Sequence, residues 1–272
     1  MEDRRALIVA ISGCSSSGKT TLARLLRDIF PGAFILHEDD FYRPETELPL
    51  KDGLLDWDCA EAIDVPALAD ALSFIRRNAS LPPSLVSKED KNSVGKCPVQ
   101  PSTISSLKAK VASRLPSPTP PQPRPSHLNP PAAAAPRICL LDGFLLYPPS
   151  MQPVPSRLDL RIFLRTSYAK AKARRQARDG YVTLEGFWAD PPGYVDKVVW
   201  PNYAREHAWL FEGGDVEGVV RQDVLAREGI KVPPSQVEEL KHKAEEKEEE
   251  EGLDAVLEWM VDLLLAELDK HA

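Results

Sequence analysis

Eight residues near the start of the chain, Gly13-Cys14-Ser15-Ser16-Ser17-Gly18-Lys19-Thr20, fit the pattern G-x-x-x-x-G-K-[ST]. An apolar run, 6–11, precedes them, and helical periodicity follows from Thr21 through Arg27. Strand, glycine loop and helix come in the order that phosphate binding requires. Gly13 and Gly18 allow a tight turn, so that successive N–H groups through Ser15, Ser16, Ser17 and on to Thr21 can face a nucleotide's phosphates. The helix N-terminus adds partial positive charge. Lys19 can reach the β- and γ-phosphates, and the Thr20 hydroxyl can bind Mg²⁺.

Phosphate binding alone does not specify a reaction. Phosphoryl transfer also needs a group to deprotonate or orient the acceptor, a metal ligand and positive charge around the moving phosphoryl. Asp39, after the short apolar run 33–37, is a candidate base. Asp40 competes with it; adjacent strand-end residues point opposite ways, which predicts that one of the two faces the site. Asp142 ends a second apolar strand, Cys139-Leu140-Leu141-Asp142-Gly143, and is placed to hold Mg²⁺ directly or through water. Arg174 and Arg178 are four apart, so they share a helix face with Arg175 beside them and can close over phosphates as a lid. Trp57 and Asp58 pair an aromatic face, suited to a flat or cationic ring, with a carboxylate able to bind ribose hydroxyls.

The elements that must position these residues read as strands at 5–11, 33–37, 137–141, 158–164 and 229–232. Helices are expected at 19–29, 60–77 (with Asp64 and Pro66 starting a second segment), 168–179, 196–210 and 254–268. The stretches 53–58 and 180–193 read as loops. Strands alternating with helices predict an α/β fold: a P-loop NTPase with a mostly parallel, five-stranded, doubly wound sheet, helices on both faces and a basic lid helix. Residues 79–136 hold 13 of the 26 prolines and read as a disordered, Pro/Ser-rich insert, a spacer with at most weak protein contacts. Strands needed for one sheet flank it, which predicts one kinase domain over 1–272. Eight glutamates and three lysines at 236–252 form an acidic run, so most of the net charge of −7 is local.

Several classes are disfavoured. There is no basic surplus for nucleic acid. No apolar run approaches the roughly 18 residues of a membrane span. Cys14, Cys59, Cys97 and Cys139 lack metal-type spacing and suit a reducing compartment. Cys14 reads as a passive small residue rather than an oxidation-sensitive thiol. The first five residues lack the features of a signal or transit peptide, so the expected location is cytoplasmic, with the nucleus as an alternative.

Gly13–Thr21, Glu38-Asp39-Asp40-Phe41-Tyr42, Asp56-Trp57-Asp58, Asp142-Gly143-Phe144-Leu145-Leu146, the Arg174–Arg178 cluster and Pro192-Gly193-Tyr194…Trp200-Pro201 occur in that order. Together they resemble the nicotinamide riboside kinases over 1–78, 137–210 and the C-terminal part. The resemblance implies ATP- and Mg²⁺-dependent phosphorylation of the ribose 5′-hydroxyl of nicotinamide riboside, giving nicotinamide mononucleotide for NAD salvage. It implies Lys19 and Thr20 at the phosphates and Mg²⁺, Asp39 as base, and Asp58 and Arg175 at the ribose. Arg174 and Arg178 fall on the ATP side, and Trp57 against the nicotinamide. Tyr181 is the nearest match for a partner aromatic, with Trp188 and Tyr194 as alternatives. Asp142 stands where the family pattern has the longer Glu, and the adenine-side loop falls near Pro233-Pro234-Ser235. The rival readings are a uridine-type or other small-metabolite kinase, and a non-catalytic nucleotide-binding adaptor.

Overall fold

The computed structural model describes residues 6–88, 96–115, 136–183, 186–238, 240 and 252–271. Strand β1 (Ala6–Gly13) is buried along its whole length. Its side chains alternate between faces: Ala6, Ile8 and Ala10 join one apolar cluster, and Leu7, Val9 and Ile11 join another. A strand buried on both faces has no polar side, which is why the sequence here is a continuous apolar run. Helix α1 (Lys19–Ile29) buries Leu22, Ala23 and Leu26 on the second face and ends before strand β2 (Phe34–His37). A small hairpin follows, β3 (Leu50–Lys51) with β4 (Leu54–Leu55). In helix α2 (Val65–Asn78), Asp64 caps the first turn by accepting from the Ala67 N–H at 3.0 Å, with Pro66 behind it.

Helix α3 (Pro101–Arg114) comes next, then strands β5 (Arg137–Asp142) and β6 (Leu160–Leu164) and the basic helix α4 (Tyr168–Gln176). A second hairpin pairs β7 (Tyr181–Val182) with β8 (Phe187–Trp188). Helix α5 (Trp200–His207) carries Pro201 in its first turn and continues a π-helical turn at Val195–Val199. Helix α6 (Gln222–Glu228), strand β9 (Ile230–Lys231) and helix α7 (Leu253–Asp269) complete the described chain.

The main sheet has the order β2-β5-β1-β6-β9, and every pairing in it is parallel. The connection after β1 runs to the β2 edge and the one after β5 crosses β1 to β6, so a crevice opens at the carboxyl ends of β1 and β5. Strands on either side of residues 79–136 thus share one sheet, as the sequence predicts. Among the described residues no helix is long and apolar enough to cross a membrane.

Four local expectations need correction. The insert is not structureless throughout: α3 buries Leu107 and Val111 against α1 and α7. Composition hid it, because Pro101 reads as a breaker but fits the first helical turn, and Ile104, Leu107 and Val111 share one face. Residues 89–95 and 116–135, and most of the acidic run at 239 and 241–251, lie outside the described residues. The two stretches read as loops carry the short hairpins β3–β4 and β7–β8. Helix α6, seven residues long, had no clear periodic signal. Glu38–Phe41 is a 3₁₀ turn, so Asp39 and Asp40 are not opposed as strand residues would be, and both line the cleft.

Candidate active site

The loop after β1 passes through left-handed backbone at Gly13 (φ 142°), Ser16 (φ 64°) and Gly18 (φ 97°). A Cβ at Gly13 would lie 2.0 Å from the Leu164 carbonyl oxygen on β6, so only glycine fits there. The buried hydroxyls of Ser16 and Ser17 have no hydrogen-bond partner among the described residues. Such orphaned donors suit an anion. Lys19 is buried, and its Nζ donates to the Cys14 carbonyl at 2.9 Å across the loop. Burial pushes the Cys14 thiol up to about 12, which keeps it protonated and supports its passive reading. Arg174 Nη1 donates to the Ser16 carbonyl at 3.5 Å, at the edge of the same loop.

Asp142 ends β5 beside His37, its register partner on β2; His37 Nδ1 lies 3.3 Å from Asp142 Oδ2. Burial opposes ionisation of Asp142. The His37 contact, the Lys19 charge and a hydrogen bond from Thr20 outweigh it and hold the carboxyl below its usual range. A buried, ionised carboxylate next to a hydroxyl fits a hard cation such as Mg²⁺. Among the described residues no three His, Cys, Asp or Glu side chains cluster to hold a metal. A cation here would therefore take its other ligands from phosphate and water. Next to this pair, Glu38 is fully buried and accepts from the Phe144 and Leu145 N–H groups at 2.7 and 3.1 Å. Burial pushes it up to about 7, although those two bonds and Lys19 pull it down.

A cleft opens beyond the loop. Ser15, Ser16, Gly18, Lys19, Thr20 and Thr21 form its phosphate end, with Asp142 beside them. Asp39, Trp57 and Asp58 also line it, as do Arg175, Arg178 and Tyr181. Gly13, Ser17 and Arg174 support the loop without lining the cleft. Lys88, from the start of the insert, also lines it, and its N–H donates to Asp40 Oδ1 at 2.6 Å.

Arg175 ties several lining residues together. Its Nη1 and Nη2 donate to the two Asp58 oxygens at 2.9 and 3.2 Å; its Nε and Nη2 donate to Asp190 at 2.6 and 3.1 Å. Burial works against the Arg175 charge, but the two carboxylates and Tyr181 push its pKa well above its ordinary value. Burial raises the Asp58 carboxyl and Arg175 draws it back; the pair is ionic because a guanidinium does not give up its proton. Trp57 is buried against Tyr42 (ring centroids 5.1 Å) and Trp188 (5.7 Å), and Trp188 Nε1 donates to Asp190 at 3.0 Å. Of Tyr181, Trp188 and Tyr194, the ring that packs on the Trp57 ring is Trp188. Tyr181 lies instead under the guanidinium groups of Arg175 and Arg178, at 5.2 and 5.3 Å.

No protein-family model matches the chain. Curated relatives do. It is 38% identical over 215 residues to a nicotinamide riboside kinase of Schizosaccharomyces pombe, covering 79% of this chain and 85% of that protein. The nicotinamide riboside kinase of Eremothecium gossypii is 37% identical over 216 residues (79% and 81% of the two chains). That of Saccharomyces cerevisiae is 34% identical over 223 residues (81% and 85%). The chain belongs to the nicotinamide riboside kinase family.

In this member of the nicotinamide riboside kinase family, the motif residues lie around one cleft. Sequence reasoning missed His37, Glu38, Lys88, Asp190 and Asn202. His37 and Glu38 adjoin the Asp39-Asp40 motif and were readable as its neighbours. Asp190 and Lys88 sit in stretches whose composition says only loop.

Proposed function

We propose that the protein transfers the γ-phosphoryl group of ATP to the ribose 5′-hydroxyl of nicotinamide riboside, yielding nicotinamide mononucleotide. The observation that carries this is the Asp58–Arg175 ion pair beside the Trp57–Trp188 wall, in the same cleft as the phosphate loop. A carboxylate and a guanidinium match the donors and acceptors of a sugar's hydroxyls, and the indole faces suit a cationic pyridinium ring.

The residues divide the work. Backbone N–H groups of 13–20, Ser17 among them, the Ser16 hydroxyl and Lys19 bind the phosphates. Mg²⁺, when bound, neutralises charge on the β- and γ-phosphates, and Thr20 and Asp142 are the residues that would hold it. Asp58 and Arg175 hold the ribose so that its 5′-hydroxyl faces the phosphate end, and Asp39 accepts the hydroxyl proton. Arg174 and Arg178 close the donor side, and Tyr181 orders the two arginines beside the sugar. Closure excludes water, favouring the riboside over hydrolysis. The 1–272 chain acts as one kinase domain in the cytoplasm.

A single assay tests this: ADP formation with Mg·ATP and a panel of ribonucleosides. Nicotinamide riboside is expected to give the highest kcat/KM. A clear preference for uridine would replace the assignment with a uridine-type kinase, and no turnover with any member would favour the adaptor reading.

A further inference from the structure

The segment Asp56-Trp57-Asp58 is held from behind by residues that do not line the cleft. Asp56 is buried, and its Oδ1 accepts from the Asp58 N–H at 3.0 Å, which fixes the backbone across Trp57. Asn202, in the first turn of α5, has no exposed surface, and its Nδ2 donates to both Asp56 oxygens at 2.8 Å. The Asn202 amide oxygen in turn accepts from Lys51 Nζ at 2.7 Å, a lysine on the β3–β4 hairpin. The order of partners leaves one orientation for the amide: its nitrogen faces the carboxylate and its oxygen the ammonium. On the other side, Tyr194 O–H accepts from the Trp57 N–H at 3.0 Å and donates to the Leu55 carbonyl at 2.9 Å.

A carboxylate buried two residues from the sugar-binding Asp58 is an expensive support unless it is matched. Asn202 supplies the donors and Lys51 the charge, relayed through the amide. We infer that Asn202 and Lys51 are positioning residues for the acceptor sugar: the chain Lys51–Asn202–Asp56 sets where Asp58 meets the ribose. This rests on the proposed reading of Asp58 as the ribose-binding acid. Losing the relay leaves Asp56 short of partners, so it turns away and releases the Asp58 N–H. The ion pair with Arg175 then holds Asp58 in a different place, and binding of the riboside suffers, while the phosphate loop keeps the backbone geometry set by its own φ and ψ.

The test is steady-state kinetics on Asn202→Leu, Lys51→Met, Lys51→Arg and the Asn202→Leu/Lys51→Met double variant. Asn202→Leu is expected to raise KM for nicotinamide riboside about tenfold, with KM for ATP unchanged and kcat within about twofold. Lys51→Met should move the same constant by less, and Lys51→Arg should restore it. The double variant should match Asn202→Leu alone, because Lys51 acts through Asn202. A lowered Tm with unchanged riboside KM in Asn202→Leu would make the chain a structural polar contact only. An equal rise in both KM values would also overturn the inference. If Asn202→Leu does not fold, Lys51→Met on the hairpin decides by the same ratio. If the wild-type protein prefers another ribonucleoside, the assignment of the substrate fails, and the KM ratio measured with that nucleoside still judges the positioning role.

Discussion

At the phosphate end of the cleft, eight consecutive residues, 13–20, supply the loop, the lysine and the hydroxyls. At the site proposed for the acceptor, Trp57, Asp58, Arg175, Trp188 and Asp190 come from three distant segments, braced by Lys51 and Asn202. The first is made of backbone N–H groups, whose direction is set by local φ and ψ. The second is made of side chains, whose direction is set by partners far away in sequence. A backbone device fails as a whole when one dihedral is forbidden; a side-chain network loses one contact at a time.

That contrast can be broken at either end. Gly13→Ala is expected to have the largest effect, abolishing ATP binding in a calorimetric titration, because its Cβ would overlap the Leu164 carbonyl oxygen. Detectable binding would show that the loop yields more than a backbone device should. Asp39→Asn should lower kcat by roughly 10²-fold or more while leaving ATP affinity intact, the range for losing a general base. Near wild-type turnover would move the base to Asp40. Trp57→Ala should raise KM for the riboside about tenfold with ATP unaffected; no change would place Trp57 in the core alone.

Smaller effects sharpen the comparison. Glu38 titrates near 7 in the folded protein against a usual 4.5. The folded state therefore holds the extra proton in that window; this stabilisation is full below about 4.5 and lost as pH rises through about 7. Glu38→Gln keeps an acceptor for Phe144 and Leu145 and does not ionise. Its Tm should exceed the wild type's by several degrees at about pH 8, with the gap shrinking at about pH 5. An equal offset at both pH values would mean that Glu38 does not titrate there. The smallest effect belongs to excision of 116–135, expected to change kcat by less than about twofold. Excision of all of 79–136 should instead lower Tm, because it removes Leu107 and Val111 from the core and the Lys88 N–H from Asp40.

The phosphate end was legible because its geometry is local: glycine spacing and the flanking strand and helix carry it. The five strands were legible for the same reason, each being a short apolar run between breakers. Asp58 and Arg175 were singled out by motif resemblance, but nothing in their spacing said that Asp190 would share the guanidinium. Trp188 rather than Tyr181 became the neighbour of Trp57 because the β7–β8 hairpin reverses the chain, and a two-residue strand leaves no periodic trace. Asp39 and Asp40 were misplaced by treating a 3₁₀ turn as a strand end. Asn202 follows Pro201, where composition suggested only a helix start.

Helix α7 buries seven apolar side chains between Val256 and Leu268 against the face of the sheet that carries α1 and α3. Its first residue, Leu253, stands so near the phosphate loop that a Cβ on Gly18 would meet it at 3.3 Å. During synthesis, β1 and the loop emerge before the other strands of the sheet, and α7 emerges after all of them. That face of the sheet is covered only in part, by α1 and α3, until residues 253–269 have left the ribosome. The first motif to be translated is thus among the last to be finished, and a nascent chain stalled before α7 would present its aliphatic strands to chaperones instead of holding a nucleotide.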